Sequence, residues 1–406
     1  STEELELAEA ANIEPKEARE IVKEINEALD HKIDGKLLIQ HLEDMFTLVV
    51  AELKKSKPVK KGPLRKREGG GKVMRDKMIK WYIEGVKGNI PDPSVREYEA
   101  TKEEKEDFFG GFNVYFIGDK SGSMGGGDNS LLAMQRKAIH LMLHSLHVNF
   151  QYKLNNNNIQ PDKALTVETR VTSFRGEHEI DEDLPLSTEL HQLAKVTLWN
   201  SLSGGGGGNG DVAALSDTYR QIAEEVRQEK KEAEERGNEY RPKLRLVLPC
   251  SDGAPVRPAE VRAWAALIGR IGVDDNLLEF DEKGVLTEES QKMFAELVEK
   301  TNEQMVAERS GSMSKDIAVH DSPTIVVGMG LTTSANTVPD IYTSPYSRGV
   351  LVPNIDDLPI VVAEHLVGAL IKLLPEKVRD KKRAELNNML ESLGKMNEVL
   401  GESAGE

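Results

Sequence analysis

The chain alternates short apolar runs with longer stretches of helical spacing. Three runs rich in β-branched residues, at 114–117, 244–250 and 324–331, are typical of strands that are buried on both faces. The stretches predicted to be helical are 131–147, 211–236, 258–270, 288–308 and 355–374. Strands that alternate with helices predict an α/β fold with a doubly wound, mostly parallel sheet.

The amino-terminal region differs in composition from the rest. Residues 1–105 are predicted to form a helical arm, with amphipathic helices in the first 50 residues and a basic linker at about 54–80. Pro58, Pro63 and a run of three glycines interrupt this linker. We interpret it as a flexible, solvated segment, and a specific site for an anion or a partner is the alternative.

The α/β domain is predicted to span residues 106–375, with an insertion at about 272–322. Within it, residues 165–174 alternate in polarity and are followed by a turn at Arg175, which predicts a strand with a hairpin-like return. Residues 376–406 are predicted to form a charged carboxyl-terminal helix and tail.

The sharpest change from apolar to polar residues comes at Asp119. The first buried strand is followed by Asp119, Ser121 and Ser123, and the second by Asp252. In an open parallel sheet, ligands bind in the crevice outside the carboxyl ends of the strands. Carboxylate and hydroxyl oxygens suit Mg²⁺, which keeps several waters that a partner's carboxylate can replace. The alternative is a strand-to-helix turn in which Asp119 or a serine only caps the next helix.

Residues from about 110 to 375 resemble a von Willebrand factor A (VWA) domain. The segments that carry the resemblance are Gly118-Asp119-Lys120-Ser121-Gly122-Ser123-Met124, Ser173-Phe174-Arg175-Gly176, Asp211-Val212-Ala213-Ala214-Leu215, Ser251-Asp252-Gly253-Ala254-Pro255 and Val326-Val327-Gly328-Met329-Gly330. The resemblance implies a doubly wound, Rossmann-like sheet with Mg²⁺ at its upper edge. In that family an Asp-x-Ser-x-Ser loop, a Thr in a second loop and an Asp in a third hold the ion.

Most of the family's metal ligands have a counterpart in this sequence. The matching positions are Asp119, Ser121, Ser123 and Asp252. Asn209 stands where the family has Thr, and Asp211 is a further oxygen donor close by. Lys120 either points away from the ion or folds back and competes with it. The resemblance implies Mg²⁺ as the cofactor, with Mn²⁺ or Ca²⁺ as alternatives.

The composition of the chain argues against several classes of protein. The chain has 406 residues and a net charge of -16, which argues against a generic nucleic-acid or membrane-surface binder. Cys250 is the single cysteine, so an intrachain disulfide framework and a zinc ribbon are excluded. No run reaches the roughly 20 apolar residues that span a bilayer. We therefore expect a cytoplasmic protein without a membrane partner.

Three other motifs are weaker candidates. His140, His144 and His147 share a helix face, but without a companion motif we interpret them as surface or interface histidines. The glycine run 204–208 lacks the lysine of a phosphate-binding loop, which argues against nucleotide binding. Residues 308–313 superficially repeat the Asp119 motif, but they follow a charged helix and are interpreted as a decoy loop.

The resemblance extends to the VWA domains of intracellular bacterial proteins, including relatives of cobalt and magnesium chelatase subunits. It implies a non-enzymatic adaptor that binds a protein partner through a metal ion completed by the partner's carboxylate. Such proteins commonly work with an AAA+ ATPase, which here must be a separate chain. The alternatives are a metal-independent scaffold with a vestigial site, and a metal-dependent hydrolase, which would need a general base or nucleophile near the ion.

Overall fold

The computed structural model describes most of the chain. The main described ranges are 2–33, 35–53, 111–127, 130–150, 167–177, 179–237, 242–253, 255–273, 277–311, 322–372 and 376–403, with a few short strands and single residues between them. The chain divides into two compact units, Ser1–Glu52 together with Phe109–Glu406, and Leu53–Phe108.

The larger unit begins with three helices. Helix α1 (Thr2–Ala11) precedes α2 (Pro15–Leu29), and a short antiparallel hairpin of β1 (Lys32–Ile33) and β2 (Lys36–Leu37) leads to α3 (Leu38–Leu53). The sequence predicts the last two helices from their apolar spacing. Helix α1 was not predicted, because its short acidic sequence has a weak apolar pattern.

The smaller unit is described only through four short strands. They are β3 (Lys57–Val59), β4 (Lys72–Val73), β5 (Arg96–Glu97) and β6 (Glu104–Glu106). Strand β3 pairs with β6 and β4 with β5, both antiparallel. The rest of the basic linker predicted at about 54–80 lies outside the described residues, so its flexibility stays a prediction.

A six-stranded sheet forms the centre of the larger unit. Its strands are β7 (Phe112–Asp119), β8 (Val167–Gly176), β9 (Glu179–Ser187), β10 (Leu244–Ser251), β11 (Thr324–Leu331) and β12 (Ser347–Val352). The spatial order is β12-β11-β10-β7-β8-β9, and only the β8–β9 pairing is antiparallel. The predicted α/β fold with a mostly parallel sheet is therefore confirmed.

Helices follow the strands along the chain. They are α4 (Leu131–His144), α5 (Gln192–Ser201), α6 (Asp211–Glu235), α7 (Pro258–Arg270), α8 (Glu288–Arg309), α9 (Val338–Tyr342), α10 (Leu358–Val361), α11 (Gly368–Lys372) and α12 (Glu376–Ser403). A π-helical stretch, Val362–Val367, joins α10 to α11. The sequence predicts most of these bounds to within a few residues, but it misses α9 and the edge strand β12.

Both faces of the sheet are covered. All eight residues of β7 are buried, and successive side chains of a strand point to opposite faces. Tyr115 and Ile117 belong to the apolar cluster formed with helices α6, α7 and α9. The two-sided burial explains why this strand is a continuous apolar run in the sequence. None of the helices in the described ranges has the length and apolar character that crossing a bilayer requires.

The strand order places a crevice at one edge of the sheet. From β7 the chain moves outward through β8 and β9 on one side, and then returns to β10, β11 and β12 on the other. The carboxyl ends of β7 and β10 therefore flank the point where the strand order reverses, which is the position at which open α/β sheets bind ligands.

Candidate metal centre

Asp119 is the last residue of β7 and lies at this reversal point. Its side chain has no exposed surface. Carboxylate Oδ1 accepts a hydrogen bond of 2.8 Å from the backbone N–H of Ser121. Oδ2 is buried and has no hydrogen-bond partner among the described residues. A buried carboxylate oxygen without a donor is costly unless a further group satisfies it.

Burial also changes the protonation of this carboxyl group. The pKa of Asp119 is raised to about 6, because burial disfavours the ionised form and the nearby Asp252 carboxylate adds repulsion. Hydrogen bonds from Ser121 and from the backbone of Asp252 act in the opposite direction. A divalent cation would supply the opposite charge that this site lacks in the protein alone.

Ser121 and Ser123 place two hydroxyl groups beside Asp119. The side chain of Ser121 is buried, that of Ser123 is exposed, and their Oγ atoms lie 3.0 Å apart. The 3₁₀ turn Gly122–Met124 begins directly after Ser121 and brings the two alternate residues to one side of the loop. The three oxygen-bearing residues predicted from the first loop are therefore brought together.

Gln135, which the sequence analysis did not single out, holds the backbone of Asp119. The amide N–H of Asp119 donates to Gln135 Oε1 at 2.9 Å, and Gln135 Nε2 donates to the Asp119 carbonyl at 3.0 Å. Gln135 is fully buried on α4. The available signal was a polar residue at a core-facing helix position, three residues from both Leu132 and Ala138.

Asp211 and Asp252 bring two further carboxylates to the same edge. Asp252 follows β10 and is half-buried, and Asp211 begins α6 and is buried. The pKa of Asp211 is raised to about 6 by burial, with a contribution from the charge of Asp119, whereas the backbone N–H of Val212 and the charge of Arg257 lower it. Asp119 thus lies within electrostatic reach of both Asp211 and Asp252.

Asn209 occupies the position where the resemblance implies Thr. Its side chain is half-buried, and Oδ1 accepts a hydrogen bond of 3.1 Å from the backbone N–H of Asp211. The Asp211 carboxylate in turn accepts a 2.8 Å bond from the N–H of Val212. Both side chains therefore help to shape the start of α6, and their role as metal ligands stays a prediction.

The second loop, residues 203–210, approaches the β8–β9 turn closely at two of its glycines. Gly207 has a φ of 97°, and a Cβ at this position would lie 2.0 Å from the carbonyl oxygen of Arg175. A Cβ on Gly210 would lie 2.2 Å from the carbonyl oxygen of Gly176. The first loop contacts the second loop as well, since the N–H of Gly122 donates to the Gly207 carbonyl at 3.2 Å. Glycine is required here by close packing rather than by phosphate binding.

Lys120 points away from the candidate centre. Its fully buried ammonium group donates to Asp181 Oδ2 at 2.7 Å and to Asp183 Oδ1 at 3.2 Å. Asp183 also accepts hydrogen bonds from the hydroxyls of Ser173 and Ser201. Of the two arrangements considered for Lys120, the structure has the one in which it does not compete with a cation.

The side chains fit a weakly coordinated hard cation. Within the described ranges, no three His, Cys, Asp or Glu side chains form a group that could hold a metal. A cation here would therefore have at most two carboxylate ligands, with serine hydroxyls and water for the rest, which is the low protein-ligand count typical of Mg²⁺. The unsatisfied Oδ2 atom of Asp119 is the structural feature that fits such an ion.

The other motifs lie elsewhere. His140 and His147 are buried, and the carbonyls of Lys195 and Thr188 lie against their rings, so neither is a surface histidine and the alternative of interface histidines stays a prediction. Cys250 is buried in β10, and its thiol has a pKa raised to about 12 by burial. Glu308, at the start of the decoy motif, pairs with Arg262 at 2.7 Å and is not directed to a loop site.

Comparisons with known proteins return only distant likenesses. No family model matches the chain, and the comparison with curated proteins finds no match. The manganese-loaded TRAP protein of Plasmodium vivax is 17% identical with a TM-score of 0.22, over 38% of this chain and 51% of that chain. A mutant of the PilB minor pilin from Streptococcus sanguinis is 10% identical with a TM-score of 0.32, over 66% of this chain and 62% of that chain.

This chain therefore spans about half of the TRAP chain and less than two thirds of the pilin chain. Likenesses at these TM-scores, 0.22 and 0.32, carry no argument about function. The description of the fold rests on the strand order and pairing of this chain itself.

Proposed function

We propose that this protein is a non-enzymatic adaptor that binds a partner protein through a divalent cation, in the manner of a VWA domain. Asp119, Ser121, Ser123 and Asp252 would hold the ion, directly or through water, and Asn209 and Asp211 would shape the second loop around it. A carboxylate from the partner would complete the coordination. The ion is expected to be Mg²⁺, with Mn²⁺ or Ca²⁺ as alternatives.

The observation that carries this proposal is the Oδ2 atom of Asp119. It is buried at the carboxyl end of a central strand, lacks a hydrogen-bond partner among the described residues, and lies beside two serine hydroxyls. The position agrees with the rule that open α/β sheets bind ligands at the reversal of strand order. A purely structural carboxylate would be expected to have both oxygens satisfied.

A non-enzymatic role is favoured by the chemistry of the remaining groups. A hydrolase would need a base or a nucleophile close to the ion. The thiol of Cys250 is buried and its high pKa keeps it protonated. His140 and His147 contact backbone carbonyls of other segments. The resemblance adds an AAA+ ATPase, supplied as a separate chain, as the first partner to test.

The first experiment is calorimetric titration of Mn²⁺ and Mg²⁺ into the EDTA-treated full chain. We expect one saturable site that Asp119→Ala abolishes. Asp380→Asn is the matched control, because Asp380 is an exposed aspartate on the terminal helix. Saturable binding that Asp119→Ala leaves unchanged would place the ion elsewhere and overturn the proposed site.

A second experiment separates the adaptor from its two alternatives. Acetate, as a stand-in for the partner's carboxylate, should bind the Mn²⁺-loaded protein and fail to bind the EDTA-treated protein. Absence of any metal binding would instead favour a metal-independent scaffold, in line with the low number of charged ligands at the site. Metal-dependent turnover of p-nitrophenyl phosphate that Asp119→Ala removes would favour a hydrolase.

A further inference from the structure

A cavity lies at the opposite end of the strands from Asp119. It has a volume of about 550 Å³ and is formed by β11, β12, the helix ending in α11, and α12. Its strand residues, among them Ile325 and Arg348, come from the amino-terminal halves of β11 and β12. Because these strands run parallel to β7, the cavity is separate from the candidate metal centre.

Three cationic side chains line this cavity, namely Arg348, Lys372 and Arg383. In the part of the chain that the structure describes, no hydrogen bond or ion pair engages any of the three. Arg348 and Lys372 are half-buried and Arg383 is exposed, whereas the buried Lys120 and Arg262 each contact a carboxylate. Unpaired cations that converge on one cavity leave a local positive charge without an internal partner.

The negative charge within the cavity is smaller. Glu364 is the one acidic residue among its described lining residues; its side chain is exposed, and Oε2 lies 3.8 Å from Nε2 of His365. The whole chain carries a net charge of -16, so an anion would be attracted by this local group and not by the protein as a whole. The excess of positive charge in this cavity therefore favours a negatively charged ligand.

The remaining surface of the cavity is mixed, with polar side chains such as Thr324 and Asn387 beside apolar ones. Ile325 of β11 and Leu390 of α12 are half-buried there, and Leu386 is buried beside them. Cavities of about 300 to 1,000 Å³ with an apolar lining and a few polar groups are typical of small-molecule sites. An arginine guanidinium can bind a carboxylate through two parallel hydrogen bonds, which fixes the orientation of an anionic head group.

We propose that this cavity binds an anionic amphiphile, a small molecule with an apolar body and one carboxylate head group. Arg348 and Arg383 hold the head group, with Lys372 adding charge, and the apolar body lies against Ile325 and Leu390. The proposal is independent of the metal centre, because the two sites share no residue.

The test is calorimetric titration of the full chain with octanoate. Two further probes separate the two features of this ligand. 1-Octanol has the apolar body without the charge, and inorganic phosphate has the charge without the apolar body. We expect one octanoate site, and at least tenfold weaker binding of each of the other two probes. Equally tight binding of inorganic phosphate would overturn the amphiphile proposal, as would the absence of octanoate binding.

Variants locate the site. Arg348→Gln combined with Arg383→Gln should weaken octanoate binding at least tenfold, with an unchanged circular dichroism spectrum. Lys381→Gln is the matched control on the same helix, because this side chain is 77% exposed and does not line the cavity. Asp119→Ala should also leave octanoate binding unchanged. Octanoate binding that survives the double substitution would overturn the proposal.

A protein segment is the competing occupant. A hexaglutamate peptide tests for it, because it presents carboxylates on a backbone and has no apolar body. We expect it to bind more weakly than octanoate. Tighter binding of the peptide would replace the small-molecule site with a docking surface for an acidic protein segment.

Discussion

At the scale of single residues, the candidate metal centre depends on a carboxylate whose burial is unfavourable without an ion. Asp119 has one satisfied and one unsatisfied oxygen, although its side chain is fully buried. A buried group with a missing partner costs about 1 to 3 kcal/mol, and more when it is charged. The free energy of unfolding is therefore expected to be lower for the metal-free protein than for the metal-bound protein.

Replacement of the charge tests this point. In EDTA at pH 7.5, Asp119→Asn should leave the free energy of unfolding unchanged or raise it by up to about 2 kcal/mol, because the charge is removed from a buried position. With saturating Mg²⁺ the parent should gain stability and the variant should not. Urea denaturation measures both. A large loss of stability in EDTA would show that the ionised carboxylate is itself structural.

The buried lysine of the same loop gives a contrasting prediction. Lys120→Met should lower the free energy of unfolding by about 3 to 5 kcal/mol, because it leaves the buried Asp183 carboxylate without its cation. Lys120 also contacts Asp181, and Arg175 contacts this second carboxylate but is 50% exposed. Arg175→Met should therefore cost less than about 1 kcal/mol. Urea denaturation of the two variants compares them, and equal losses would contradict the structural role of burial.

At the scale of elements, the second loop depends on glycine at only some of its positions. Gly207→Ala should destabilise the protein by about 2 kcal/mol or more, since it combines a positive φ with a backbone clash. Gly208→Ala should be neutral within about 0.5 kcal/mol, because no atom lies within 4 Å of the added Cβ. Thermal unfolding of both variants, with Mn²⁺ titration, checks this contrast. Similar effects at both positions would mean that the loop packs differently.

Glu24 makes one of the polar contacts that attach the amino-terminal helices to the α/β domain, and another joins His31 to Asp356. Glu24 of α2 accepts hydrogen bonds from Trp199 Nε1 at 2.8 Å and from Arg136 at 3.3 Å. Around it, Ile21, Ile25 and Ala28 form an apolar cluster with Val196 and Trp199. Ser203, at the start of the second loop, accepts a hydrogen bond from the same arginine. Helix α2 is therefore connected to the loop that leads to Asn209.

Removal of this contact should loosen the helices. Glu24→Ala should cost about 1 to 3 kcal/mol, because Trp199 is fully buried and its indole N–H would lose its acceptor. Glu20→Ala is the control, because Glu20 is 63% exposed and pairs only with Lys16 on the same helix among the described contacts. Urea denaturation and limited proteolysis of α2 measure the difference. Equal protection in the two variants would contradict the prediction.

At the scale of the whole molecule, the three histidines of α4 and the turn after it contribute to the loss of stability in acid. Burial lowers the pKa of His140, His144 and His147 to about 4, against an ordinary value of 6.5. The unfolded chain takes up these protons near pH 6.5, while the folded chain resists until about pH 4. Their contribution to stability is therefore fully present above pH 6.5 and is lost as the pH falls through 4.

Carboxyl groups that are buried or half-buried act in the opposite direction, among them Asp119, Asp211 and Glu225. The pKa values of Asp119 and Asp211 are raised to about 6, so their contribution is present at low pH and is lost as the pH rises through 6. Each histidine can contribute up to about 3 kcal/mol, and the carboxyl groups offset part of the total. We expect a net loss of a few kcal/mol between pH 6.5 and 4, measured by urea denaturation in EDTA.

A variant separates the histidines from the carboxyl groups. His147→Gln should flatten the dependence on pH between 6.5 and 4, whatever its effect on stability at pH 7.5. An unchanged slope in His147→Gln would show that this ring takes up its proton in the folded state over the same pH range as in the unfolded chain.

Local pattern accounts for much of the fold that the sequence predicts. The strands at 114–117, 244–250 and 324–331 are apolar on both faces, so their burial is visible residue by residue. Strand β12 escaped prediction because its positions are a mixture of buried and half-buried, as at an edge of the sheet. Gln135 escaped notice because its role depends on the backbone of a strand that precedes it by 16 residues.

The sequence by itself determined the α/β class and the oxygen-bearing residues at the ends of β7 and β10, because periodicity and residue type are local properties. The tertiary structure decided which oxygens are satisfied and which are not, because hydrogen bonds to Asp119 and Asn209 depend on how the loops meet. It also decided that Lys120 is directed to Asp181 and Asp183, since those carboxylates lie about 60 residues away along the chain and adjoin it through the pairing of β7 with β8 and of β8 with β9.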